Sequence, residues 1–200
     1  GVVATLVTGA DAVSITANAG DITIGAVTAT AGTLGVTATA GSINDAADDN
    51  TADLVASGGL ITLTARDEIG VLGSGTDTDL EFATGSSVNV STTGTGAIDL
   101  DGLGTLTLSD VDTVNGAITA SSAGALTVTD VASGTNGNIS LTTSSGDITG
   151  LATVNAGSGN VTLNSAGAIV DDGSAGTVIT GAVLTGTLAS PHIWDTGGDG

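Results

Sequence analysis

Short runs in which apolar and polar residues alternate recur along the whole chain, which is the pattern of strands with one buried face. One set opens at Val13, Leu34, Ile61, Val88, Ile118, Ile139, Val161 and Val183, at spacings of 21, 27, 27, 30, 21, 22 and 22 residues. A second set opens at Ile22, Ile43, Ile69, Ile98, Leu126, Ile148 and Ile169. The step from a first strand to its second is nearly constant, 8 to 10 residues, and a glycine usually stands just before the second: Gly20, Gly41, Gly96, Gly124, Gly146 and Gly167. A fixed corner is implied.

The length variation therefore lies in the return path to the next first strand, which takes 12 to 20 residues and has room for a third strand. Candidates are residues 27–30, 54–56, 80–82, 106–108, Val131, Val154 and 178–180. Three short strands per turn of about 21 residues predict an all-β fold, a right-handed parallel β-helix or β-solenoid of about eight coils. Stacked at the usual strand spacing, eight coils make a rod about 40 Å long. Its interior is a column reading Val13, Leu34, Ile61, Val88, Ile118, Ile139, Val161, followed by Ile15, Val36, Leu63, Val90, Ala120, Leu141, Leu163. Between Val88 and Ile118 a second register is open, in which Ile98 and Leu106 are a first and a second strand and the coil count shifts by one. Residues 1–190 are one solenoid domain, and 191–200 leave the pattern as a terminal cap or linker.

Composition narrows the function. With 21 Asp and Glu, one Arg and no Lys, the net charge of -20 excludes nucleic acid and a basic contact with an anionic membrane. Such charge with 33 glycines invites disorder, but a mean hydropathy of +0.44 and recurring Val, Ile and Thr argue against it. No apolar stretch is long enough for a membrane span, and no signal peptide is evident, so the chain, which starts at Gly1, is expected to be a mature product or an excised piece. Without cysteine there is neither a disulfide framework nor a thiolate site. One Phe and one Trp leave the interior thin and aliphatic.

The runs GDITI at 20–24, GNISL at 137–141, GDITG at 146–150 and GNVTL at 159–163 resemble the repeats of filamentous-haemagglutinin-type adhesins and related giant bacterial surface proteins. The similarity covers about residues 10–185 and is one of composition and period, with no catalytic motif. It implies an extracellular or cell-surface rod, often one portion of a far longer chain.

The return paths 44–60, 70–87 and 99–117 are the long ones, and they are consecutive, so their insertions are expected to stack on one side. They hold eleven of the 21 acidic residues: Asp45, Asp48, Asp49, Asp53, Asp77, Asp79, Glu81, Asp99, Asp101, Asp110 and Asp112. Hard oxygen ligands gathered without basic partners suit Ca²⁺, the one cofactor the sequence suggests, with Asp77, Asp79, Glu81, Asp45, Asp48 and Asp49 as candidate ligands. The competing reading is a solvated acidic face that keeps a secreted rod soluble. No loop matches the EF-hand pattern.

Catalysis is not expected. Asp171 with Asp172, or Asp48 with Asp49, is a carboxylate pair of the kind glycosidases use, but acidic sugars need basic partners and sugar subsites need aromatic platforms, which Arg66, Phe82 and Trp194 hardly supply. His192 lies outside the repeat. An outward column of Thr16, Thr37, Thr64, Ser91, Ser121, Thr142 and Asn164 raises ice binding, although threonine is the ordinary filler of an exposed strand. Ile193 and Trp194 are the bulky residues near an end, expected either to cap the rod or to form an axial interface with neighbouring repeats or identical protomers. The sequence thus reads as a structural stalk or adhesive module that contacts a host or environmental surface. A self-assembling extracellular fibre or sheath subunit is the alternative.

Overall fold

The computed structural model describes residues 1–47, 49–70, 79–174, 176, 178–188 and the backbone of 193–194. It is all-β, a parallel β-solenoid of about 8 turns with three sheets per coil. Every strand pair in it is parallel, and each strand pairs with its counterpart one coil away. Among the described residues no helix is long and apolar enough to cross a membrane.

One edge of the coil begins with a single column that runs the length of the rod: Val2, Ile22, Ile43, Ile69, Ile98, Ile118, Ile139, Val161 and Leu184, each the register partner of the next. From Ile22 to Val161 these side chains are buried, stacking like on like along the axis. The third edge carries a second column: Val13, Leu34, Ile61, Val88, Leu108 and Val128. The expected interior column joined the lower half of the second to the upper half of the first. Ile118 stands on Ile98, and Val88 is continued by Leu108, so the 30-residue step is not one enlarged coil. The open alternative, with Ile98 in a first strand and Leu106 in a second, is the one that the structure adopts, since Ile98 pairs with Ile118 and Leu106 with Leu126.

The reason lies in where the straight strand falls in the coil. In the first coils the straight strands form the third edge, Val13–Ala17, Leu34–Ala38 and Leu60–Ala65, while the first two edges are short pieces such as Ile22–Ile24 and Val27–Ala29. In the later coils the straight strands are Ile118–Ser122, Ile139–Thr143 and Val161–Ser165, which span the first two edges, and the third edge is broken into pairs such as Leu126–Val128 and Asp130–Ala132. The changeover takes three consecutive long strands, Ser86–Thr92, Ile98–Gly102 and Leu106–Thr113, with a register shift after Val88. Both kinds of straight strand share one apolar-polar pattern, so the pattern repeats while the edge it occupies changes.

At the corners small residues let the coils approach. A Cβ on Gly116 would overlap the carbonyl oxygen of Gly96, and one on Gly137 that of Gly116. A second corner column reads Ala17, Ala38, Ala65, Thr92, Thr113, and there the buried hydroxyls donate within their own turn, Thr92 to the carbonyl of Gly96 at 3.1 Å and Thr113 to that of Gly116 at 2.9 Å. Acceptors on one coil also hold the backbone of the next: Asp21 Oδ1 accepts from the Ser42 N–H, Asn138 Oδ1 from Asn160 and Asp147 Oδ1 from Ala168. Phe82 is fully buried, and its register partner is Gly102. The third-strand candidates at 54–56, 80–82 and 178–180 are strands as expected.

Candidate functional site

The insertions follow the same corner in two neighbouring coils, after Ile43–Asp45 and after Ile69, and both return to the second edge, at Leu54–Ala56 and Leu80–Phe82. Residues 99–117 hold no insertion: they are strands Ile98–Gly102 and Leu106–Thr113 with a short turn between. The expected single acidic flank therefore splits. Asp99 and Asp101 remain on the inserted side, where Asp101 is the register partner of Glu81. Asp110 and Asp112 lie on the third edge beside Asp130.

Leu80 and Phe82 point into the core, and strand alternation turns Glu81 to the other face, yet Glu81 is only 1% exposed. Asp53, at 3%, precedes Leu54, which is paired with Phe82, and so sits beside Glu81. Its Oδ2 accepts the Glu81 N–H at 3.2 Å, and its carboxyl lies close to that of Glu81. Asp45, half-buried, lies close to Asp53 as well. One carboxylate oxygen from each of Asp45, Asp53 and Glu81 lies within 4.8 Å of the others. Three acids are thereby gathered at one corner, two of them nearly out of reach of water.

Burial, with help from the Glu81 carboxyl and the charge of Asp45, pushes the Asp53 carboxyl up to about 9. The raised value favours the protonated form of Asp53 at neutral pH, which removes much of the repulsion that three charges would create. Burial also raises Asp45, despite backbone hydrogen bonds that oppose it. Burial and Asp101 push Asp99 up to about 6, and burial with Asp110 does the same for Asp112; Asp130 is raised by burial and Asp110.

Of the candidate Ca²⁺ ligands, Asp45 and Glu81 meet, joined by Asp53. Asp53 belongs to the acidic residues of that return path but was not among the candidate ligands; its signal was the position directly before the strand residue Leu54. Asp49 is exposed and closes a turn by accepting from the N–H and hydroxyl of Thr51. Asp79 lies just before Leu80–Phe82 and is half-buried. Asp48 and Asp77 are outside the described residues.

The other constellations resolve into structure. Asp171 and Asp172 accept from the N–H groups of Gly173 and Ser174 at 3.2 and 2.9 Å and shape a turn. Arg66 pairs with its exposed neighbour Asp67 at 3.6 Å. The outward hydroxyl column is two columns: Thr16, Thr37, Thr64 and Ser91 end at Asp112, whereas Ser121, Thr142 and Asn164 begin at Asp101. Ile193 and Trp194 form a short strand paired with Ile169 and Val170. His192 lies outside the described residues.

No protein-family model, curated protein or solved structure matches the chain, so what identifies it is its architecture, a parallel β-solenoid whose most unusual chemistry is a buried group of three carboxyls at one corner.

Proposed function

We propose that the chain is a stalk module of a secreted or surface-attached protein, a spacer without catalysis. The observation that carries this reading is the unbroken column from Val2 to Leu184: every coil repeats one contact, so the fold converts sequence length into axial length. About eight coils correspond to a rod about 40 Å long. The raised acids owe their shifts first to burial and then to neighbouring acids. The acidic, hydroxyl-rich exterior suits an extracellular setting, and so does the resemblance of the GDITI, GNISL and GNVTL runs to surface-adhesin repeats. Contact with a host or environmental surface is the narrower form of the reading.

The test is one of reach. With the chain inserted between a cell-surface anchor and an epitope, the distance of the epitope from the membrane, read by energy transfer to a membrane dye, should grow by about the rod length. An inserted flexible linker of equal residue number gives a shorter and broader distribution. Equal results for the two would overturn the stalk reading.

A further inference from the structure

The dipeptide Asn-Gly occurs twice in the sequence, at Asn115-Gly116 and Asn136-Gly137, and the fold sets the two at the same corner of neighbouring coils. Each asparagine stands three residues before a member of the inward column, Ile118 and Ile139, which are register partners. Each glycine is buried, and a Cβ on either would overlap the carbonyl oxygen of the glycine one coil below. The two sites therefore share sequence, corner and backbone packing. They differ in what holds the asparagine.

Asn115 is half-buried, and its Oδ1 accepts the Asn136 N–H of the coil above at 3.0 Å. Asn138 is held in the same manner, its Oδ1 accepting from the Asn160 N–H at 2.9 Å. Asn136 is exposed, and the matching donor above it is already spent. That donor is the N–H of Ser158, three residues before Val161, the register partner of Ile139. It donates to the carbonyl of Thr135 at 2.9 Å, and the Ser158 hydroxyl donates to the same oxygen at 3.2 Å. Asn136 therefore keeps the side-chain freedom that Asn115 has lost.

We infer that Asn136 is a site of spontaneous deamidation in the folded chain and that Asn115, in the same dipeptide, is guarded. In the first step the Gly137 nitrogen attacks Cγ of Asn136. An N–Cγ bond forms, the Cγ–Nδ2 bond breaks, and the Gly137 amide proton leaves with the departing nitrogen as ammonia, so that a cyclic imide remains. Glycine permits this because it has no side chain to obstruct the approach and leaves the backbone free to turn. Water then opens the imide at either carbonyl, giving aspartate at one and isoaspartate at the other. Nothing is oxidised or reduced. At Asn115 ring closure first has to break the bond to the Asn136 N–H. At Asn136 the product adds a negative charge, and its isoaspartyl form lengthens the main chain by a methylene beside Gly137, which has no slack against Gly116. This chemistry is independent of what the rod touches.

The test follows both sites in one sample by peptide mapping and mass spectrometry. The folded chain is held warm at neutral pH in heavy-oxygen water, beside a portion kept in urea, where neither asparagine is held. Relative to its own rate in urea, Asn136 in the folded chain should convert about five-fold faster than Asn115, the factor that one net hydrogen bond commands. Each product should carry one heavy oxygen, and part of it should be isoaspartate, read with a methyltransferase specific for that residue. Asn136→Gln keeps the backbone N–H that holds Asn115, so it should abolish the early product and leave Asn115 slow. Equal relative rates at the two sites in the folded chain would overturn the proposal. So would an Asn136 that stays intact in the fold while it converts in urea.

Discussion

Gly137 lies over Gly116 so closely that a Cβ on Gly137 would overlap the Gly116 carbonyl oxygen. The contact is backbone on backbone, and the coil spacing leaves no slack to accommodate a methyl group. Gly137→Ala should therefore cost about 1–3 kcal/mol, as overpacking does. Gly35→Ala is the control: its Cβ would find its nearest neighbour at 4.0 Å, its φ is not positive, and alanine is no worse than glycine in a strand. Urea unfolding of the two variants should separate them, and equal midpoints would contradict the packing at this corner.

These glycines also mark how far the sequence could be read. The parallel solenoid was legible because inward residues such as Leu34, Ile61, Ile139 and Val161 recur at coil-like intervals, and a stacked column asks only for similar residues at each level. The register across Val88 was not. Straight strands on the third edge and on the first obey the same alternation, so nothing in Val88 or Ile118 by itself states which edge it occupies. Gly96, Gly116 and Gly137 carry that information, since they form one corner column and precede Ile98, Ile118 and Ile139. The acidic site was half legible: the acids of the two inserted corners were visible, but the grouping of Asp45, Asp53 and Glu81 depends on Phe82 pairing with Leu54, a relation across 28 residues that spacing alone does not set.

Leu141 tests the interior. It stacks between Ala120 below and Leu163 above, and none of the three is more than 2% exposed. Leu141→Asp would bury a carboxylate with no cationic partner and should cost several kcal/mol. Thr142 points outward and is only half-buried, so Thr142→Asp should be mild. Thermal melts of the pair decide it, and similar losses in both would place the wall of the solenoid elsewhere.

The acid cluster predicts how stability changes with pH. Asp53 is raised to about 9 in the fold from an ordinary value of 3.8, so between those limits the folded chain binds a proton that the unfolded chain releases. Stability must then fall as pH rises through that range, by at most about 1.4 kcal/mol per pH unit from this group. Relief of the overall negative charge at low pH acts in the same direction, so the slope of the parent alone is not diagnostic. Asp53→Asn keeps a hydrogen-bonding side chain and removes the titration. Its stability should therefore depend less on pH between 5 and 9 than that of the parent, and an unchanged slope would show that Asp53 does not hold the proton.

The same proton decides the response to Ca²⁺. A divalent ion at Asp45, Asp53 and Glu81 would need their oxygens ionised, and at pH 7 the proton on Asp53 already relieves the repulsion that would otherwise favour the ion. The expected outcome at neutral pH is a modest rise in melting temperature that is the same for Ca²⁺, Mg²⁺ and Na⁺ at matched ionic strength, the signature of screening over an acidic surface. Selective binding to the folded state would instead stabilise it by mass action, with Ca²⁺ acting beyond its ionic strength. A Ca²⁺-specific increase at pH 7 that vanishes in Asp53→Asn would show that the metal outcompetes the proton. Asp49→Asn is the matching control, because Asp49 is an exposed acid on the same return path that is spent on closing its own turn with Thr51. Asp49→Asn should leave the response to all three cations alike.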